Sequence, residues 1–114
     1  MTTDRREVER LRYILECIDR IEEYTGGDRA TFDRSAIVQD AVLRRLETLA
    51  DGSNKLSDPL KARHPKIPWR RVYGFRNIAA HAYEDLQLHW VWEIVEDYLP
   101  VLKAAIEAEL RLHD

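Results

Sequence analysis

The C-terminal third of the sequence constrains the fold most, because its apolar residues recur at helical spacing and occupy more than one side of a helix. Together they are Leu88, Val91, Val95, Leu99, Leu102 and Ile106, with Trp90, Ile94 and Val101 beside this stripe. We predict a long helix from about Asp85 to about Leu112, kinked but not ended at Pro100, since the pattern resumes beyond it. A helix that is apolar on several sides must be buried on several sides. In so short a chain this indicates a second subunit, with Trp69, Trp90 and Trp92 as candidate anchors, although core packing is the more common role of a single tryptophan.

Helical periodicity and capping residues also define the segments that come before. We predict helices at about residues 5–24 and 35–53, with a short turn capped by Asp28 and running through Phe32 between them. A short helix begins at Ser57-Asp58-Pro59, and another begins at Pro68. Asp4 and Glu7 resemble a capping box at the first helix. The apolar face of the segment 35–53 is assigned to Ile37, Val38, Ala41, Val42, Leu46 and Leu49. No segment alternates with a period of two over a strand length. The prediction is therefore a single all-α domain over residues 1–114, an antiparallel helical bundle.

Composition and charge exclude several protein classes. The 18 Lys and Arg residues against 21 Asp and Glu give a net charge of −3, which argues against a general nucleic-acid coat protein. Cys17 is the single cysteine, so an intrachain disulfide is excluded, and its apolar neighbours predict a buried, inert thiol. The charged N-terminus does not resemble a signal peptide, and no apolar run approaches membrane-spanning length. These features predict a cytoplasmic protein.

The basic residues are unevenly distributed. Between Pro59 and Tyr83 there are six Lys or Arg residues and no Asp or Glu, which leaves 12 basic against 21 acidic residues elsewhere. Such segregation is a first indication of an anionic partner, while the alternative is a solvated basic surface, which is the more common role of a basic run. If that partner is RNA, the candidate binding residues are Lys61, Arg63, Lys66, Arg70 and Arg71, with Tyr73 as a base-stacking candidate.

The same stretch ends in a helical segment that separates into distinct sides. At about 100° per residue, the segment 69–82 places its core side at Val72, Phe75, Ile78, Ala79 and Ala82. The opposite side carries Arg70, Gly74, Asn77 and His81, and a partly buried flank carries Arg76 and Tyr83. A glycine within a helix costs about 1 kcal/mol relative to alanine. Gly74 therefore indicates the close approach of another backbone, subunit or ligand.

Arginine and histidine at this spacing are suited to phosphate chemistry. An arginine binds two phosphate oxygens and stays charged, while a histidine transfers protons near neutral pH. In RNA the neighbouring 2′-hydroxyl can serve as the nucleophile, so metal-free cleavage needs proton transfer and a cation at the phosphoryl oxygens. One Arg76 and one His81 form a sparse site, which two copies across a dimer axis would complete. From spacing alone a structural role stays open for both residues, because an arginine often pairs with a carboxylate and a histidine is often surface.

The motif Arg76-Asn77-x-x-x-His81-x-Tyr83 resembles the signature of HEPN-domain proteins, specifically the HepT-like toxins. The similarity extends over most of the chain, in the segments Ile21-Glu22-Glu23-Tyr24, Gln39-Asp40-Ala41-Val42, Ile67-Pro68-Trp69-Arg70 and Val91-Trp92-Glu93-Ile94-Val95, and in Leu99-Pro100. The resemblance implies a four-to-five-helix up-and-down bundle. It further implies the toxin of a type II toxin–antitoxin pair, a metal-independent endoribonuclease without a cofactor.

By the same resemblance, Arg76 and His81 are the catalytic pair of a composite site at a homodimer interface, and Asn77 is a supporting polar residue. The implied partner is a minimal nucleotidyltransferase antitoxin, which adenylylates Tyr83. An anionic nucleotide beside Arg76 would exclude RNA. The chain departs from the family pattern at Ala82, where an acidic residue is common, and at Ala50-Asp51-Gly52, where many members have Gly-Glu-Ala.

Two further functions are alternatives to a ribonuclease. The first is a non-catalytic helical module that docks a nucleotidyltransferase or a nucleotide. The second is a metal enzyme, which the sequence disfavours, since no ligand spacing relates the four histidines His64, His81, His89 and His113.

Overall fold

The computed structural model describes residues 5–83 and 87–113. Within these ranges the regular structure is entirely helical, which confirms the predicted all-α class. The helices are α1 (Arg5–Thr25), α2 (Arg29–Arg34), α3 (Ala36–Asn54), α4 (Asp58–Ala62), α5 (Trp69–His81), α6 (Leu88–Glu93) and α7 (Leu99–Arg111), with a π-helical turn at Ile94–Tyr98 between the last two. The predicted start of the last helix, at Asp85, lies outside the described residues.

Side-chain caps start α2 and α3 near the positions that the sequence predicts. Asp28 accepts a hydrogen bond from the Ala30 amide at α2, and Ser35 accepts one from Val38 at α3. Asp4, proposed for a capping box with Glu7, lies outside the described residues. Glu7 is instead buried, and its carboxylate accepts hydrogen bonds from the amide and hydroxyl of Ser57, at 2.5 and 3.2 Å. It therefore fixes the start of α4 against α1.

The last helix continues past Pro100, as predicted. Proline lacks an amide hydrogen, and its ring crowds the carbonyl four residues earlier. The wider π-helical turn at Ile94–Tyr98 ends just before α7 and accommodates this crowding. The sequence did not predict that turn.

The core forms where α1, α3, α5 and the last helix meet. Its fully buried side chains include Leu11, Ile14, Phe32, Leu46, Leu49, Phe75, Leu102 and Ile106. Cys17 is buried as predicted, and burial raises the pKa of its thiol. Within the described ranges, no helix has the length and apolar character needed to cross a membrane.

Some of the predicted apolar surfaces are exposed in the single chain. Ile37 was assigned to the apolar face of α3, and this was wrong, because the residue lies in the first turn of α3 with 82% of its surface accessible. Of the three tryptophans, Trp92 is buried and Trp69 is half-buried, donating to the carbonyls of Lys61 and His64. Trp90 and Val101 are about half exposed. The described residues therefore leave these two side chains of the C-terminal helical segment partly uncovered.

A buried carboxylate joins the end of α7 to the segment after α4. The side chain of Glu109 is 1% exposed. Its carboxylate accepts two hydrogen bonds from Arg63, one from Nε at 3.2 Å and one from Nη2 at 2.6 Å. The Nε2 atoms of His64 and His113 lie 2.8 and 3.0 Å from its two oxygens. Its hydrogen bond with Arg63 outweighs burial and, with those from the two histidines, lowers the pKa of Glu109 from 4.5 to about 2.

Replacing Glu109 by glutamine should lower the free energy of unfolding at pH 7 by about 3 kcal/mol, because Arg63 loses its buried counter-charge. The folded pKa lies below the unfolded one, so the ionised carboxylate stabilises the fold above about pH 4.5. This contribution is lost as the pH falls from 4.5 to about 2. Denaturant unfolding across that range should show the stabilities of parent and variant converging.

Glu107→Gln is the matched control, since Glu107 lies on the same helix and is half-buried. It should unfold like the parent at every pH. If Glu109→Gln and the parent lost stability in parallel between pH 4.5 and 2, the carboxylate would not be the group that titrates there.

Candidate functional site

Helix α5 presents the motif by packing one side against α3. Val72, Phe75 and Ala79 are buried, Ile78 is half-buried, and Ala82 just beyond the helix is buried. This confirms the predicted core side. The orientation follows from apolar residues three and four positions apart, which share one helix face.

The other side of α5 borders an open cavity of ≈ 460 Å³. It is lined by Tyr73, Gly74, Arg76, Asn77, Ala80 and His81 of α5 and by Glu47 of α3. The structure therefore brings together the predicted Arg76, Asn77, His81 and Tyr73. The volume lies within the range of small-molecule and cofactor sites, and the shape is open toward solvent.

Arg76 is oriented by a carboxylate of α3. Its Nε lies 3.2 Å from Asp51 Oδ1, and 57% of the arginine side chain is exposed. It is therefore more exposed than the partly buried flank that was predicted. An exposed ion pair adds little stability, but it restricts where the guanidinium points. The segment Ala50-Asp51-Gly52 departs from the common Gly-Glu-Ala, yet it keeps a carboxylate. The Asp51 side chain is shorter than that of glutamate and still reaches Arg76.

The two helical glycines near the site differ in their surroundings. A Cβ placed on Gly52 would lie 3.1 Å from Ile14 Cγ1, so this glycine lets α1 approach α3. A Cβ placed on Gly74 would meet nothing within 4 Å. Packing within the described chain does not explain Gly74, and the space beside it in the cavity is open.

Tyr83 lies just beyond α5, apart from the residues that line the cavity. Its hydroxyl donates to Asp40 Oδ1 at 2.6 Å, and 47% of its surface is exposed. Partial burial, together with the hydrogen bond and negative charge of Asp40, raises the pKa of Tyr83 to about 12. The phenol is therefore protonated at neutral pH, with a carboxylate already positioned on its hydrogen.

The remaining RNA-binding candidates divide into two groups. Arg63 binds Glu109, Lys61 donates to the Asn54 carbonyl at 3.1 Å, and Arg71 donates to the Tyr98 hydroxyl while stacking on its ring. These three side chains therefore have partners within the protein. Lys66, Arg70 and Tyr73 are exposed, and within the described chain no hydrogen bond or ion pair engages their side chains, so they are the candidates best placed to contact RNA.

Carboxylates of α3 are the part of the site that the motif itself does not reveal. Asp40, Glu47 and Asp51 follow one another along the helix at spacings of seven and four residues, which keeps them on one side. Asp51 was noted only as a family departure, and Glu47 was not singled out. The spacing was visible in the sequence, but its relation to Arg76 depends on α3 packing beside α5. Among the described residues, no group of three or more His, Cys, Asp or Glu is arranged to hold a metal ion.

Comparison with known proteins identifies the family of the chain. The family model described as Ribonuclease HepT-like matches residues 14–109. A protein of Methanocaldococcus jannaschii named "Putative RNase MJ1380" is 30% identical over 105 residues, covering 90% of this chain and 96% of that protein. The "Probable ribonuclease HepT" of Thermococcus cleftensis is 33% identical over 97 residues, covering 82% and 86%. No solved structure matches the chain. By its match to the family model and to these relatives, the chain belongs to the Ribonuclease HepT-like family.

Proposed function

We propose that the protein is a metal-independent endoribonuclease whose active site contains Arg76 and His81. The observation that carries the proposal is that Arg76, Asn77 and His81 line one open cavity on the exposed side of α5. The exposed Lys66 and Arg70 belong to the same acid-free basic stretch and would attract an RNA backbone. The relatives named as ribonucleases support the same class of reaction.

In the proposed reaction the RNA supplies its own nucleophile. The 2′-oxygen attacks the neighbouring phosphorus while the bond from phosphorus to the 5′-oxygen breaks, giving a 2′,3′-cyclic phosphate and a 5′-hydroxyl end. Arg76 stabilises the negative charge on the phosphoryl oxygens, and Asp51 keeps it in position. His81 transfers a proton at the reacting oxygens, and Asn77 supports the substrate by hydrogen bonding.

The active site is proposed to be shared between two copies of the chain. A single cavity holds one Arg76 and one His81 and is open to solvent. The space beside Gly74 leaves room for a second backbone, and Trp90 and Val101 present uncovered apolar surface. A homodimer would enclose the cavity and bring a second set of polar groups to the RNA.

The proposed biological role is that of a cytoplasmic toxin in a toxin–antitoxin pair. A nucleotidyltransferase antitoxin would silence it by adenylylating Tyr83. The exposed hydroxyl is accessible to such an enzyme, and a nucleotide there would place negative charge near the RNA-binding surface.

Purified protein should cut RNA in the presence of a chelator, and both Arg76→Ala and His81→Ala should lower the rate at least 100-fold. Cleavage of a labelled oligonucleotide, followed on a gel, measures this. The matched controls are Arg12→Ala and His89→Ala, which change exposed residues outside the cavity and should leave the rate near that of the parent.

Cleavage by the two variants at the parental rate would show that the site is elsewhere. Binding of RNA without any cleavage by the parent would favour the alternative function, a non-catalytic binding module.

Co-expression with a cognate nucleotidyltransferase should add the mass of one adenylyl group to the protein, because Tyr83 offers an exposed hydroxyl. Intact mass spectrometry measures the addition, and Tyr83→Phe should abolish it. Tyr13→Phe is the control, since Tyr13 is exposed to a similar degree on α1. Modification that persists in Tyr83→Phe would contradict the assignment.

A further inference from the structure

The cavity contains one carboxylate that the proposed function has not used. Glu47 lines it together with Arg76, Asn77 and His81, and lies one helical turn before Asp51 on α3. None of the other described residues that line this cavity is an aspartate or a glutamate.

The two neighbouring carboxylates have different partners. Asp51 binds Arg76, so the arginine is held without the participation of Glu47. Within the described chain, no hydrogen bond or ion pair engages the Glu47 carboxylate. It therefore remains available to whatever enters the cavity.

A carboxylate beside a phosphate-binding arginine is unfavourable for binding RNA, because it repels the phosphate. The repulsion is relieved if the carboxylate takes up a proton during the reaction. It then becomes neutral while the phosphoryl oxygens gain negative charge, so the transition state is favoured over the bound substrate.

We infer that Glu47 is the general base of the proposed reaction, an assignment that rests on the proposed ribonuclease function. A carboxylate oxygen of Glu47 accepts the proton of the 2′-hydroxyl as the 2′-oxygen bonds to phosphorus. The bond between phosphorus and the 5′-oxygen breaks, and the imidazolium of His81 donates its proton to that leaving oxygen. Base and acid are thus different residues, so one histidine is sufficient for one cleavage event.

Glu47→Gln should lower kcat about 100-fold or more and leave KM unchanged or lower, because the amide cannot accept the proton and no longer repels phosphate. Glu47→Asp should retain part of the activity. Steady-state cleavage of oligonucleotides with one ribonucleotide among deoxynucleotides, prepared with each of the four bases, measures both constants. Glu16→Gln, an exposed glutamate on α1 outside the cavity, should match the parent.

A substrate with sulfur in place of the bridging 5′-oxygen separates the base from the acid. A thiolate leaves without protonation, so this substrate should restore cleavage by His81→Ala but not by Glu47→Gln. Binding of an all-deoxy analogue, which lacks the nucleophile, should be as tight with Glu47→Gln as with the parent.

Four results would overturn the assignment: parental kcat in Glu47→Gln, rescue of that variant by the sulfur substrate, loss of analogue binding by it, or an activity loss confined to substrates with one nucleobase. Loss of analogue binding would indicate a structural role for Glu47. A loss confined to one nucleobase would indicate that Glu47 recognises that nucleobase. A parent protein that cuts no RNA would instead contradict the proposed function, and the role of Glu47 would fall with it.

Discussion

The packing of α5 against α3 is the contact on which the rest of the site depends. Arg76 pairs with Asp51, and Tyr83 bonds to Asp40. Moving seven residues forward from Arg76 to Tyr83 thus moves the contact eleven residues back along α3, so the two segments run antiparallel. Phe75 and the other buried residues of α5 fix its rotation. Because that rotation is fixed, the polar side of α5 and the acidic side of α3 border the same cavity. A small rotation of α5 would separate the arginine from its carboxylate and change which side chains reach the cavity.

This contact also explains how a chain with a net charge of −3 can present the proposed phosphate site. The acid-free stretch supplies cations, and the neighbouring helix supplies carboxylates that orient one of them. Asp51 restrains Arg76, while Glu47 borders the cavity without pairing to it. The ion pair between α3 and α5 therefore orients the Arg76 guanidinium, while the other exposed cations of the basic stretch, Lys66 and Arg70, keep their positive charge. The proposed proton transfers follow from this division between an orienting and a reacting carboxylate.

Local patterns predicted most of the fold, and long-range contacts account for what they missed. The caps at Asp28 and Ser35 and the core side of α5 depend on residues within one or two turns, so the sequence was sufficient. The exposure of Ile37 could not be inferred from periodicity, because it arises from the absence, within the described chain, of any segment that covers the first turn of α3. The pairing of Arg63 with Glu109 and the position of Glu47 join segments that are distant in sequence, and only the folded chain brings them together.

We propose that cleavage takes place where two copies of the chain meet. Arg76→Ala and His81→Ala proteins should each be inactive alone, and their mixture should regain activity in mixed dimers, which hold one intact arginine and one intact histidine in different subunits. Native mass spectrometry would establish that mixed dimers form, and cleavage of a labelled RNA with a chelator present would measure their activity. The cleavage activity of the mixture should rise in proportion to the fraction of mixed dimers. Mixed dimers that form but remain inactive would contradict it.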